Sequence, residues 1–361
     1  MKITKLSCDL VDVPFDKPIR TAVHDIRGIG CVLVTLESDQ GLAGEGYLFT
    51  LNGARLAAYH EMVESLADFY VGKDPYFAEG HWQAVFQATN FMGHKGPVIA
   101  ALSALDTACW DLVGKALERP LHRVFGACRD RIPTYASGGL WLSMTPDECA
   151  EQAQGYVAQG FTAVKLRIGS KRIEDDVLRA RVVRDAIGPD VGLMVDANQS
   201  LTVKHAIRLA RALEEFDLIW FEEPVPYHDL SGHAEIRSAI PMPLASGETE
   251  YTRYGMRDMI QARSADILMP DLQRIGGLTE FRRAGALAAA FDIPVSSHIF
   301  TEHSLCVAAS LPNCMSVEHM PWTAPILSEP MELVDGCLVV PERHGTGFCF
   351  DPAAIERYRI G

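Results

Sequence analysis

Asp196, Glu222 and Glu248 each stand one step beyond a strongly apolar run, in Gly-Leu-Met-Val-Asp196, Leu-Ile-Trp-Phe-Glu222 and Leu-Ala-Ser-Gly-Glu248. Each step is 26 residues, about one strand-plus-helix unit. The series continues in Leu-Met-Pro-Asp271 and Pro-Val-Ser-Ser-His298, 23 and then 27 residues further on. Five ionisable groups at the same end of five successive buried strands would converge on one small volume. In a parallel barrel that volume is the C-terminal mouth, where active sites are built. Any one of these carboxylates alone reads as a solvated loop residue. The set does not, because like charges converging at buried strand ends repel unless a cation compensates.

The elements that must position these groups are legible in the same stretch. Short apolar runs begin near residues 133, 162, 192, 218, 243, 266, 294 and 315, and helical stretches such as Pro146–Gln159, Glu174–Ile187, Val203–Glu214 and Thr279–Phe291 lie between them. Near-continuous apolar strands alternating with helices predict a parallel sheet covered on both faces, and eight such units close into a barrel. Residues 1–50 read as antiparallel, with strands at Ile3–Val13, Gly30–Glu37 and Leu42–Tyr47, the last two joined by a turn at Ser38–Gly41. From Gly53 to about Val124 the pattern is helical, and Val98–Leu117 is the clearest amphipathic segment. The division expected is a cap at 1–126, a barrel at 127–320 carrying the active site, and a tail at 321–361 that returns to the cap, since a lone 40-residue piece buries too little surface.

Composition excludes several classes of function. A net charge of −14 with no Lys/Arg-rich run argues against nucleic acid and anionic membrane surfaces. No uninterrupted apolar stretch approaches 18 residues, and Met1–Leu6 lacks the apolar region of a secretory signal, so a membrane span and export are not expected. The nine cysteines are scattered without a Cys-x-x-Cys pair and read as reduced thiols of a cytoplasmic protein. The expected partners are a small-molecule carboxylate and further copies of the same chain.

The motifs together resemble the enolase superfamily, specifically its mandelate racemase subgroup, over essentially the full length. They are Ala-Val-Lys165-Leu-Arg167-Ile-Gly, Met-Val-Asp196-Ala-Asn198-Gln-Ser, Trp-Phe-Glu222-Glu-Pro, Gly-Glu248, Met-Pro-Asp271 followed by Arg-Ile-Gly-Gly277, Ser-Ser-His298-Ile-Phe and Val-Glu318. Each is weak alone; their order and spacing are specific. The resemblance implies an α/β fold, a modified (β/α)7β TIM-like barrel with an N-terminal α+β capping domain completed by the C-terminal segment. It also implies one divalent ion per subunit, Mg2+ or Mn2+, and abstraction of the proton next to a carboxylate by a Lys or His base.

Carried over residue by residue, Asp196, Glu222 and Glu248 match the metal ligands, hard oxygen donors suited to Mg2+. Lys165 matches the lysine that contacts the substrate carboxylate. Glu318 matches an acid that hydrogen-bonds the other carboxylate oxygen and must be protonated to do so. Asn198 either contacts substrate or orients a ligand. His298 and Asp271 match a base dyad, in which the carboxylate fixes the ring tautomer and leaves the other nitrogen free for the proton. Arg167 departs from the racemase pattern, which has a second lysine there as base on the opposite face of the α-carbon. Residues 165 and 167 share one face of a strand, and arginine is a poor base and a good carboxylate or hydroxyl clamp. The loop Ile19–Gly28 reads as a specificity lid; its His24, Asp25 and Arg27 suggest a polar substrate such as an acid sugar, with His24 a candidate contact.

The reading that follows is a Mg2+-dependent acid-sugar dehydratase that makes a 2-keto-3-deoxy acid. A racemase or epimerase is second, a lactone cycloisomerase third, and a catalytically silent metal-binding scaffold is disfavoured by the intact Lys165, Asp271 and His298.

Overall fold

The computed structural model describes residues 1–360. Three antiparallel strands open the chain, β1 (Ile3–Arg20), β2 (Asp25–Ser38) and β3 (Ala43–Leu51), ordered β1-β2-β3. β1 runs well past Val13, through Pro14 and Pro18, with its register interrupted between Pro14 and Ile19. It is an edge strand, where a missing N–H costs no ladder bond. The expected lid therefore shrinks to the hairpin end Thr21–His24, with Ile19 and Arg20 paired to Ile26 and Asp25.

Helix Pro97–Ala116 lies against β3, and Gly44 and Gly46 permit the approach: a Cβ on them would fall 2.1 Å and 2.3 Å from the carbonyl oxygens of Ala108 and Ala104. The segment expected to be an amphipathic helix is helical, and it is buried on nearly all sides. It is long and apolar enough to cross a membrane by composition, yet 89% of its most apolar window is buried, which makes it the core helix of the cap. Its two buried aspartates are satisfied inside the fold: Asp106 accepts from the Thr279 N–H at 2.8 Å, and Asp111 pairs with Lys115 at 2.6 Å.

Eight parallel strands follow: β4 (Arg131–Ala136), β5 (Ala163–Arg167), β6 (Gly192–Asp196), β7 (Leu218–Glu222), β8 (Leu244–Ser246), β9 (Ile267–Leu268), β10 (Val295–Ser297) and β11 (Cys314–His319). They pair in chain order, and β11 closes on β4 through Val317↔Thr134 and Glu318↔Tyr135. Helices join successive strands, and β11 is followed directly by the short 3-10 segment Pro321–Ile326, so the barrel is (β/α)7β. Period-two alternation sorts the side chains. Val164, Leu166, Leu193, Val195 and Phe221 pack outward against the helices, while Tyr135, Met194, Trp220, Ala245 and Met269 fill the interior. Lys165, Arg167, Asp196 and Glu222 follow the same inward parity toward the C-terminal ends of their strands.

The tail divides its contacts. β12 (Leu333–Val334) and β13 (Cys337–Val339) form a hairpin that pairs antiparallel to β4, while helix Pro352–Tyr358 packs on β1 and Phe350 N–H donates to Glu45 at 3.0 Å. Cap and barrel are fastened by buried bonds: Trp82 Nε1 to Gly276 O at 2.8 Å, Ser103 Oγ to Leu272 O at 2.7 Å, and Glu302 accepting from both Tyr47 and Thr323.

His303, on the fully buried helix Thr301–Ala308, is held neutral: burial, helped by Lys115, pushes its pKa down to about 3. Its folded pKa lies below the unfolded value of about 6.5, so between those limits the unfolded chain binds the extra proton and acid destabilises the fold. Neutral glutamine cannot titrate. We expect the stability deficit of His303→Gln at pH 7.5 to narrow by about 1.4 kcal/mol at pH 5.5, roughly one pH unit below the unfolded pKa. Denaturant unfolding at both pH values reads this directly; an unchanged deficit refutes it.

Candidate active site

Arg167, Asp196 and Glu222 are cross-strand neighbours at the C-terminal ends of β5, β6 and β7, through the pairs Arg167↔Asp196 and Asp196↔Glu222. Lys165 lies among the carboxylates, its Nζ 2.6 Å from Glu222, 2.8 Å from Glu318 and 3.7 Å from Asp196. Burial opposes the charge on Lys165, but Glu222 and Glu318 more than offset it and hold the pKa well above the ordinary lysine range. Glu222 is buried beneath the site and also accepts from Trp220 Nε1 at 2.9 Å. Burial, then the carboxylates of Asp196, Glu248 and Glu318, raise its pKa to about 8 against the pull of Lys165. One lysine does not neutralise this cluster.

Asp271 follows β9 and His298 follows β10, joined by a parallel bridge. His298 Nδ1 lies 2.8 Å from Asp271 Oδ2, and the other Asp271 oxygen accepts from Arg274 N–H at 2.9 Å, capping the short helix Leu272–Ile275. The carboxylate is thus fixed from behind before it meets the imidazole. His298 Nε2 sits 3.3 Å from Glu248 and 3.9 Å from Glu318. Burial disfavours its proton, but Glu248 and the Asp271 hydrogen bond prevail and bring the pKa to about 9.

Glu318 does not stand as expected. Burial alone would protonate it, but Lys165, His298 and Arg167 hold its pKa well below the carboxylate range. It accepts from Ser137 Oγ at 2.5 Å and from Ile299 N–H at 2.8 Å. These surroundings favour an ionised acceptor over the protonated donor that the sequence reading required.

Arg167 is fixed rather than free. It donates to Ser137 O and Ser137 Oγ, each at 2.9 Å, and its guanidinium lies 4.3 Å from the centre of the Trp141 ring. Asn198 donates its amide to Asp196 Oδ2 at 3.0 Å and its backbone N–H to Oδ1 at 2.8 Å, the arrangement of a residue orienting that carboxylate; it also lines the cavity. Glu223 and Glu250 are buried: Glu223 accepts from Gln199 at 2.6 Å, and Glu250 lies 3.7 Å from Lys95.

These groups open into a cavity of about 580 Å³ between barrel and cap. From the lid, His24 lines it, but Asp25 and Arg27 are exposed and do not. They belong to β2, where alternation turns Ile26 inward and its neighbours to solvent. The lid's charges therefore say nothing about the substrate, contrary to the sequence reading. Sequence reasoning also missed Ser137, Trp141, Gln199, Arg274 and Trp322. Ser137 had a signal, since it directly follows the first barrel strand, and Gln199 and Arg274 stand inside the motifs Asn198-Gln-Ser and Arg-Ile-Gly-Gly277. Trp322 arrives from the C-terminal segment, which no strand-end rule reaches.

Comparison with known proteins bears on this geometry. Residues 5–126 match the family described as mandelate racemase / muconate lactonizing enzyme, N-terminal domain, and residues 148–354 match its companion, enolase C-terminal domain-like. The chain belongs to the mandelate racemase / muconate lactonizing enzyme family. It is 33% identical to a 3,6-anhydro-alpha-L-galactonate cycloisomerase of Streptomyces coelicolor, covering 99% of this chain and 100% of that one. It is 31% identical to the L-talarate/galactarate dehydratase of Salmonella typhimurium, covering 93% and 87%. The structure of an L-talarate dehydratase from Polaromonas, complexed with magnesium and L-glucarate, superposes with a TM-score of 0.91 at 29% identity, covering 100% of this chain and 98% of that one. Like these relatives, this mandelate racemase family member is an enzyme.

Magnesium is present in that relative, and the donor set here fits it. Asp196, Glu222 and Glu248 offer hard oxygens from adjacent strands. Their excess negative charge, expressed in the raised pKa of Glu222, calls for a further cation. The three do not crowd to single-ion spacing around Lys165; among the described residues only Cys8, His60 and Glu64, in the cap, bring their ligand atoms within 4.8 Å of one another.

Proposed function

We propose that this enzyme is a magnesium-dependent dehydratase of an acid sugar, with Asp196, Glu222 and Glu248 holding the ion. The observation that carries the reading is one-sided proton equipment. His298 has a carboxylate on Nδ1 and turns Nε2 toward the mouth, 3.3 Å from Glu248, whereas Lys165 is paired with both Glu222 and Glu318 and Arg167 is stacked and hydrogen-bonded. Asn198, Gln199, Thr249 and Gln273 along the barrel side of the cavity are suited to sugar hydroxyls. The cysteines are all free thiols, which supports a cytoplasmic setting.

A bound Mg2+ supplies Lewis-acid stabilisation of the charge that develops on the carboxylate oxygens as the α-proton leaves. His298 Nε2 takes that proton, and the C–H electron pair becomes a C=C bond while the oxygens carry the charge. Lys165 adds its ammonium beside them. The charge then collapses: the carboxylate re-forms, a C2–C3 double bond appears, and the β-oxygen departs with its bonding pair. The proton held by His298 goes to that oxygen, which leaves as water. The remaining enol tautomerises to a 2-keto-3-deoxy acid, so that substrate equals product plus one water.

The Streptomyces relative favours a second reading in which the β-oxygen belongs to a ring. The same proton abstraction would open the ring, and no water would leave.

Elimination needs one face of the α-carbon, racemisation needs two, and arginine stays protonated at neutral pH. We expect irreversible formation of keto acid from one α-configuration, followed by polarimetry and a 2-keto acid assay in parallel. Loss of optical rotation without keto acid, at the turnover rate, overturns the reading in favour of a racemase. Arg167→Lys should lower kcat/KM by roughly 10- to 100-fold, the scale of one charge-assisted hydrogen bond of about 1.5–3 kcal/mol, and introduce slow interconversion through its new amine.

A further inference from the structure

The cap holds a second group of metal-ligand side chains, and none of them lines the active-site cavity. Cys8 stands on β1, and His60 and Glu64 stand about one turn apart on helix Leu56–Ser65. Among the described residues, these three alone bring their ligand atoms within 4.8 Å of one another. The sequence pattern explains the meeting. Leu6, Cys8 and Leu10 share the face of β1 that packs on the cap core, and the helix buries Leu56 and Val63 in the same core. His60 and Glu64 border that buried stripe at i, i+4 spacing, where the helix packs on β1.

A His–Glu pair on a half-exposed helix face is ordinary by itself. A thiol arriving from a second element changes its chemistry. Ligand atoms around one tetrahedral zinc stand about 3.4–3.8 Å apart, because the bonds are about 2.0–2.3 Å long. His60 Nε2 and Glu64 Oε1 are already 3.7 Å apart, and Cys8 lies within 4.8 Å of both residues' ligand atoms, so side-chain adjustment of about 1 Å closes the triangle. Burial, and then the Glu64 carboxylate, push the Cys8 thiol well above its ordinary range. A divalent cation resolves that conflict: the sulfur–metal bond forms as the thiol proton leaves to water, and thiolate and carboxylate become two ligands of one charge. A thiolate with an imidazole selects zinc-like ions over Mg2+, which prefers oxygen donors.

We propose that Cys8, His60 and Glu64 form a zinc site that ties the edge strand β1 to helix Leu56–Ser65, with water as the fourth ligand, separate from the magnesium site of the barrel.

The test uses the full chain in reducing buffer with excess Mg2+, titrated with Co2+ and then with Zn2+. A cobalt–thiolate bond gives a near-ultraviolet charge-transfer band that the carboxylates of the barrel mouth cannot give. We expect one equivalent of Co2+ to develop this band, Zn2+ to remove it by displacement, and Zn2+ to raise the Tm of the wild type. Cys8→Ser should abolish the band. Cys8→Ser, His60→Gln and Glu64→Gln should each weaken zinc binding at least about tenfold, since even a group that only orients a ligand is worth that much. His60 and Glu64 are part-exposed, so their variants report on the site even if Cys8→Ser fails to fold. Absence of the band in the wild type at saturating Co2+ overturns the proposal. A band retained in Cys8→Ser does so too, by moving the metal to another of the nine cysteines. Unchanged zinc affinity in any one of the three variants likewise overturns it.

Discussion

His298→Asn should abolish turnover and α-proton exchange together. Asparagine keeps a polar side chain of similar reach but cannot accept a proton at neutral pH, and a positioned general base contributes about 10²–10⁴-fold. Both readouts pass through the same proton, so both should fall at least about 10³-fold while magnesium binding and the circular dichroism spectrum stay unchanged. Asp271→Asn should fall less, by roughly 10- to 100-fold, because it removes the partner that orients the ring and not the ring itself. Its amide would still receive the Arg274 N–H through its oxygen, so the local helix should survive. Unimpaired deuterium incorporation by His298→Asn sinks the assignment and moves the base to Lys165.

Glu222→Gln should cost the most after that. The substitution is nearly isosteric, and the amide oxygen can still accept from Trp220 Nε1. It removes one formal charge at the bottom of the carboxylate cluster, where Lys165 lies 2.6 Å away. With that charge gone, Asp196, Glu248 and Glu318 face Lys165 with less net attraction for a further cation. We expect magnesium affinity measured by calorimetry to fall at least about 10²-fold and kcat/KM at least about 10³-fold, equivalent to about 4 kcal/mol. Fold stability should change little, since Lys165 keeps Glu318 at 2.8 Å and is not left as an unpaired buried charge. Wild-type turnover in the variant, or full activity of the wild type in excess chelator, refutes the metal assignment.

Much of this molecule is legible in one dimension because a barrel repeats. Each strand is buried on both faces and so reads as an apolar run, and each ends where the chain must emerge into the mouth. That is why the runs near 162, 192 and 218 end on Arg167, Asp196 and Glu222, and why His298 could be placed beside Asp271 before any coordinates. Parity within a strand is equally local: Lys165 and Arg167 had to share a face. The cap was less legible. β1 continues through two prolines because it is an edge, and an edge is a property of what does not lie beside the strand. Helix Pro97–Ala116 looked amphipathic, but its polar residues find buried partners 173 and 235 positions away, in Thr279 and Thr346.

The sequence by itself therefore determined the barrel, the strand-end positions of the ionisable groups and the presence of arginine where a second base could stand. Period and residue type are enough for that. Only the tertiary structure decided their states. Charges that arrive from strands far apart in the chain push Lys165 above the ordinary lysine range and Glu318 below the carboxylate range. The outward turn of Asp25 and Arg27, and the entry of Trp322 into the cavity, follow from strand pairing and from the path of the C-terminal segment. Electrostatic state and cavity lining depend on distance in space, and a sequence pattern carries distance only along the chain.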